Sequence, residues 1–148
     1  MKPCIYKIHE KEKYMPLLLL ADEQKDMIDR YLNDGEMYVI DDCGVKGEIV
    51  VSDVGNGIIE IKNLAVFPQY RRRGYGRLLI DHICGKYKND FSSVQVGTGD
   101  SPLTIPFYEK CGFVKSRVVK DFFKDNYDHI IVEAGVTLVD MIYLKKDL

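Results

Sequence analysis

FPQYRRRGYGRLLIDHI, residues 67–83, sets the run Arg71–Arg73 directly before Gly74 and Gly76 and the first turn of an apolar-periodic segment. In front of it, IIEIKNLAVF (58–67) alternates like a strand, and Pro68 ends that run. Behind it, Tyr75, Leu79, Ile83 and Tyr87 recur every four residues, flanked by Leu78 and Ile80, which predicts an amphipathic helix through GYGRLLIDHICGKYKND (74–90). The first N–H groups of a helix have no intrahelical partner and carry the positive end of its dipole. A turn that gathers such groups cradles an anion. Glycine at 74 and 76 leaves space for a phosphate against the main chain, and Arg71, Arg72 and Arg73 add charge and donors. The turn therefore reads as a socket for a pyrophosphate, with a solvated basic turn as the plain alternative.

Two other phosphate-binding patterns are absent or broken. A Walker loop needs GxxxxGK[ST], and the chain has none. A dinucleotide fingerprint needs GxGxxG; Gly74-Tyr75-Gly76 supplies its first half, but Leu79 stands at the third glycine. The segment about twenty residues further on, FSSVQV (91–96), has no acid to hold a ribose.

The bulk numbers narrow the classes. A chain of 148 residues accommodates one domain, 1–148. A net charge of −2 argues against a general nucleic-acid binder, which carries a basic excess. The longest apolar run, MPLLLLA (15–21), is far short of a membrane span. MKPCIYKIHEKEK (1–13) lacks the apolar centre of a signal peptide, so a cytoplasmic location is expected. Cys4, Cys43, Cys84 and Cys111 form no CxxC pair, and His9, His82 and His129 are not spaced for zinc, so reduced thiols and no metal are expected.

Walking the chain, CIYKIH (4–9) reads as a first strand. A helix opens near Pro16, and a second, capped by Asp22, places Met27, Ile28, Tyr31 and Leu32 on one side. EMYVID (36–41), VKGEIVVSDV (45–54) and IIEIKNLAVF, separated by the turns DCG and GNG, predict antiparallel hairpins. After the central helix come a strand at SSVQVGTG (92–99), a short helix at PLTIPFYEKCG (102–112) closed by Gly112, and strands at FVKSRVVKDFF (113–123) and VTLVDMIYLKK (136–146). The acidic, aromatic span KDNYDHIIVEAG (124–135) reads as a long connection. The expected fold is α+β (mixed α/β), in the order β α α β β β α β α β β. It has a mostly antiparallel sheet of about seven strands, about four helices and one parallel crossover through the central helix.

With those residues in view, NLAVFPQYRRRGYGRLLIDHI (63–83) resembles motif A of the GNAT superfamily of acetyl-CoA-dependent N-acetyltransferases, whose (Q/R)xxGx(G/A) signature is met by Arg71 to Gly76. IPFYEKCGF (105–113) is similar to that superfamily's YEKxGF run. The resemblance implies that the main chain of Leu64, Ala65 and Val66 extends as a strand toward the pantetheine arm of acetyl-CoA. It implies that the N–H groups of Arg71, Arg72, Arg73, Gly74, Tyr75 and Gly76 hold the pyrophosphate. It also implies a bulged motif-A strand that splays from SSVQVG to admit the cofactor.

The chemistry so implied is acetyl transfer to a primary amine, directly within a ternary complex. An alkyl amine with a pKa of roughly 10.4 must first lose a proton. By the resemblance Tyr108 protonates the departing thiolate, and Glu60, eleven residues before Arg71, is the base. The same positions also suit a core ring and, with Lys62, a solvated strand face. Main-chain N–H near Val66 steadies the oxyanion. Where the family often has an asparagine bonding the pantetheine, this chain has Ser101, whose reach is shorter. A cysteine nucleophile is disfavoured, since neither Cys84 nor Cys111 has a histidine near in sequence.

On the acceptor side, Asp125, Tyr127, Asp128 and Asp140 are candidates to receive a cationic amine, among the aromatic residues Phe122 and Phe123; a solvated loop is the alternative. The implied partners are acetyl-CoA and a small-molecule or peptide amine, without nucleic acid, membrane or metal. Assembly as a homodimer is compatible by family analogy, but no segment marks an interface. A non-catalytic acyl-CoA sensor on the same fold stays open.

Overall fold

The computed structural model describes residues 2–148. Strand β1 (Cys4–Ile8) is followed by helices α1 (Met15–Ala21) and α2 (Lys25–Asp29). Strands β2 (Glu36–Asp41), β3 (Val45–Asp53) and β4 (Ile58–Val66) lead into helix α3 (Tyr75–Tyr87). Then come β5 (Ser93–Gly99), α4 (Ile105–Lys110), β6 (Val114–Val119) and α5 (Phe122–Asn126). A small hairpin of β7 (Val132–Glu133) and β8 (Val136–Thr137) precedes the last strand, β9 (Met141–Asp147). Seven strands form one sheet in the order β1–β2–β3–β4–β5–β9–β6. Every neighbouring pair is antiparallel except β4 and β5, which the α3 crossover joins in parallel. Among the described residues no helix is long and apolar enough to cross a membrane.

Strand alternation sorts the core into two layers. Ile49, Val51, Ile59, Ile61, Val94 and Val96 meet Leu79, Ile80 and Ile83 of α3, with Ile105 and Tyr108 of α4 in the same cluster. Met37, Val39 and Val50 turn the other way, onto Leu18 of α1 and Ile28 of α2. Each such aliphatic side chain contributes about 1.5–3 kcal/mol by leaving water, which is what holds the start of α3 at a fixed height against β4.

Three expectations are corrected. Asp22 does not cap α2, whose N-cap is Gln24; it closes α1, and two tyrosine hydroxyls claim its carboxylate. Residues 121–123 are not strand. Asp121 takes a left-handed φ of 55°, and Phe123 packs with Ile131 and Leu138 in a third cluster that a straight strand would expose. The span 124–135 is not a bare connection but holds most of α5 and β7, and the last strand starts only at Met141.

Candidate functional site

The socket follows from its dihedrals. A short 3₁₀ turn, Pro68–Tyr70, hands the chain to Arg71 in an extended conformation, then Arg72 and Gly74 take left-handed φ values of 65° and 88°. Helix α3 starts at Tyr75 with no side-chain cap, and its first inward bond runs from Leu78 N–H to Gly74 O at 3.0 Å. The N–H groups at the head of α3 are therefore left facing outward without a protein side chain to satisfy them. Arg71, Arg72 and Arg73 are all exposed around them. The Tyr75 hydroxyl donates to Asp42 at 2.6 Å and pins the helix start to the β2–β3 turn. The two glycines have different reasons. Gly74 needs its left-handed backbone, whereas a Cβ on Gly76 would stand 3.1 Å from the Phe107 ring, where α4 packs on α3.

Beside the socket the sheet comes apart. β4 and β5 pair only from Ile58 opposite Ser93 to Ile61 opposite Val96. Beyond that, β4 stays with β3 as far as Val66 opposite Gly47, while β5 stays with β9 to Gly99 opposite Met141. A bulge sets the parting: Val50 faces Asn63 and Val51 faces Ile61, so Lys62 has no partner. Phe67 N–H bonds Lys46 O at 3.0 Å. By alternation Ala65 also turns its N–H and C=O toward β3, and Leu64 and Val66 turn theirs toward the parting. Of the three residues grouped by the resemblance, Leu64 offers a free edge, Val66 offers its N–H while its C=O accepts from Arg71 Nε at 3.4 Å, and Ala65 offers neither.

Tyr108, on α4, is 6% exposed and packed edge-on by Phe107 and Phe113. Burial first, then the nearby Cys111, Glu48 and Glu133, push its hydroxyl well above the ordinary tyrosine range, so it stays protonated at neutral pH. Glu60 sits where the strands part, 7% exposed, with Lys62 Nζ at 2.6 Å and Gln95 donating to its other oxygen. Tyr143 lies near it; burial and then the Glu60 charge raise that hydroxyl. The buried Ser101 spends its Oγ on Leu103 N–H at 3.1 Å, in the turn before α4.

The acceptor-side candidates divide. Tyr127 donates to Asp22 at 2.6 Å, and Asp22 also receives Tyr31 at 3.1 Å. Burial raises the Asp22 carboxyl, and these two hydroxyls oppose the rise. Tyr31 in turn accepts from Asn63 Nδ2 at 3.0 Å, which carries the network to β4. Asp128 and His129 form a surface pair at 2.6 Å. Asp140 is bound by the Asp121 N–H at 2.9 Å and by Lys120, which hold its carboxyl below the usual range. Asp125 is exposed. As site residues Asp22, Tyr31, Asn63, Gln95 and Glu48 escaped sequence reasoning, which reads Asp22 and Tyr31 only as a helix cap and a helix face; only Glu48, a charge inside the apolar run GEIVV (47–51), carried a local signal.

A helix-start anion socket thus lies next to a half-opened sheet edge. Residues 33–115 match the model of the acetyltransferase (GNAT) domain. The chain is 36% identical over 137 residues to an uncharacterised N-acetyltransferase, YvbK, of Bacillus subtilis, covering 89% of this chain and 87% of that one. An IAA acetyltransferase from Bacillus cereus superposes with a TM-score of 0.93 at 33% identity, over 99% of this chain and 100% of the other. A GNAT acetyltransferase from Elizabethkingia anophelis, solved with acetyl-CoA bound, gives 0.92 at 35% identity, over 99% and 98%. The chain belongs to the GNAT family of acetyltransferases.

Proposed function

We propose that this protein moves the acetyl group of acetyl-CoA to a primary amine of a small molecule or peptide, by direct transfer. The observation that supports this most is the parting of β4 from β5 beside the uncapped start of α3. A linear cofactor with a peptide-like arm and a pyrophosphate fits those two features together: an unpaired strand edge and an outward-facing set of N–H groups. Leu64 and Val66 would hold the arm, and the main chain from Arg71 to Gly76, with the three arginine side chains, would hold the pyrophosphate. Ser101 is left a minor part, because its hydroxyl is engaged. When bound, acetyl-CoA supplies an acyl group activated as a thioester. A free N–H of Leu64 or Val66 steadies negative charge on the acyl oxygen, and Tyr108 gives its proton to sulfur.

Glu60 is the proton acceptor the resemblance offers. Lys62 and Gln95 engage both of its oxygens, which fixes its place and leaves a substrate amine to compete with them for it. Glu60→Gln is expected to lower kcat by only about tenfold, below the usual range for a lost general base; steady-state thiol release at neutral pH measures this. Tyr127 belongs to the acceptor side through Asp22, while Asp125, Asp128 and Asp140 would act at its rim.

The direct test is a melting scan with acetyl-CoA. At a hundred times its dissociation constant, a ligand of the folded state adds about 2.7 kcal/mol. For a chain of this length that raises Tm by roughly 5–10 °C. No rise would remove the reading. A rise without thiol release across an amine panel would leave a binding module in place of an enzyme.

A further inference from the structure

Glu48 is 0% exposed, and neither of its carboxylate oxygens has a hydrogen-bond partner. Asn63 is 4% exposed; its Nδ2 donates to Leu18 O and to the Tyr31 hydroxyl, both at 3.0 Å, but its Oδ1 has no partner. Glu48 stands opposite Ala65 and Asn63 opposite Val50, so alternation puts both side chains on the α1–α2 face of the sheet, diagonal to one another. Three orphaned oxygens, all acceptors, thus lie beside Leu64 and Val66, the residues that edge the parting. Buried acceptors without donors are rare and call for a missing donor. An ammonium group brings three donors and the one charge that a buried carboxylate lacks.

We propose that Glu48, rather than the ion-paired Glu60, is the group that receives the acceptor's proton, with Asn63 Oδ1 orienting the amine. This rests on the acetyl-transfer reading above. In the step, one N–H bond of the alkylammonium breaks, the proton passes to a Glu48 oxygen, and the lone pair is left on nitrogen. The ammonium and carboxylate become an amine and a carboxylic acid. The titratable group that faces Glu48 on this side of the sheet is Tyr31, after α2, with Asp22 behind it; Tyr108 packs in the opposite layer with α3 and feels the Glu48 charge through the sheet, and Glu60 and Lys62 lie further along β4. Burial pushes the Glu48 carboxyl well above the ordinary range; the nearby Ala65 amide, whose N–H is committed to the β3 ladder, opposes that rise without bonding the carboxylate. A carboxylate so raised is a stronger base than a solvated one.

The experiment compares Glu48→Gln, Glu48→Leu and Glu60→Gln with the wild type. It uses acetyl-CoA with butylamine, benzylamine and 1,4-diaminobutane from pH 6 to 9. Expected for Glu48→Gln is a loss of a hundredfold or more in kcat, with the acetyl-CoA-induced Tm rise intact. The wild-type climb of rate with pH should flatten in that variant, and neither Glu48 variant should melt below wild type, since a raised, unpartnered carboxyl lends no stability at neutral pH. Sign and window agree: with the folded pKa raised, its stabilising share is whole below the unfolded value of about 4.3 and fades as pH rises through the folded one. A Glu48→Gln rate within threefold of wild type overturns the proposal. So does a larger loss in Glu60→Gln, or a lower Tm in both Glu48 variants, which marks a structural carboxyl. An ordered water bridging Glu48 and Asn63 in crystals soaked with butylamine overturns it as well. A wild type that binds acetyl-CoA and acetylates nothing removes the underlying reading, and this assignment with it.

Discussion

Tyr108→Phe is expected to lower kcat about a hundredfold while leaving the KM for acetyl-CoA and the melting temperature close to wild type. The substitution removes one oxygen and keeps the ring, which Phe107 and Phe113 hold edge-on. Packing is therefore preserved, and the stability change should stay within about 1 kcal/mol. General acids typically contribute 10²–10⁴-fold, and the low end applies because a thiolate leaves more readily than an alkoxide. Because the hydroxyl is held well above the ordinary range, the wild type should not lose rate through this group as pH rises toward 9. Thiol release under saturating acetyl-CoA reads the result. A variant within twofold of wild type would make Tyr108 a core ring and nothing more.

Gly74→Val acts on binding instead of chemistry. At φ 88° a β-branched side chain costs about 1–2 kcal/mol, so the variant should fold but melt a few degrees lower. Nothing stands within 4 Å of the Cβ position, so no clash with the protein adds to that cost. The new methyl groups occupy space at the mouth of the socket. Affinity for acetyl-CoA is expected to fall at least a hundredfold, about 2.8 kcal/mol, and the ligand-induced Tm rise should vanish at concentrations that saturate wild type. Gly85→Ala is the control, because it lies in α3 with nothing near its Cβ position. It should raise stability by up to about 1 kcal/mol through helix propensity and leave binding unchanged. A Gly74→Val protein that still binds acetyl-CoA like wild type would move the pyrophosphate site elsewhere.

From Ile58 to Gly99 the strand–turn–helix–strand order is legible because each signal is local: alternation on β4, four-residue spacing on α3 and Pro68 between them. The two antiparallel hairpins before it are legible for the same reason, since DCG and GNG are too short for any other connection. Legibility fails where partners are distant. Asp22 looks like a helix cap beside Glu23 and Gln24, yet Tyr31 and Tyr127 determine its surroundings. Phe122 and Phe123 read as strand until Ile131 and Leu138 supply the cluster that turns them into a short helix. Glu48 is visible as a charge in an apolar run, but its orphaned state emerges only when α1, α2 and β4 close over it. Glu60 is singled out only through the resemblance, by its place before Arg71, whereas its pairing with Lys62 depends on the bulge at Lys62.

The Tyr127–Asp22 bond joins residues 105 positions apart. During synthesis the pyrophosphate cradle, whose contacts lie mostly between residues 42 and 107, has all its parts when the last quarter of the chain is still emerging. The wall that confronts the amine must wait for that final stretch to return to the first helices, a closure that long chain separation makes slow. A nascent or C-terminally nicked protein would thus present the phosphate turn before it can choose an acceptor, and without β9 beside β5 it would lack one wall of the opening for the donor's arm.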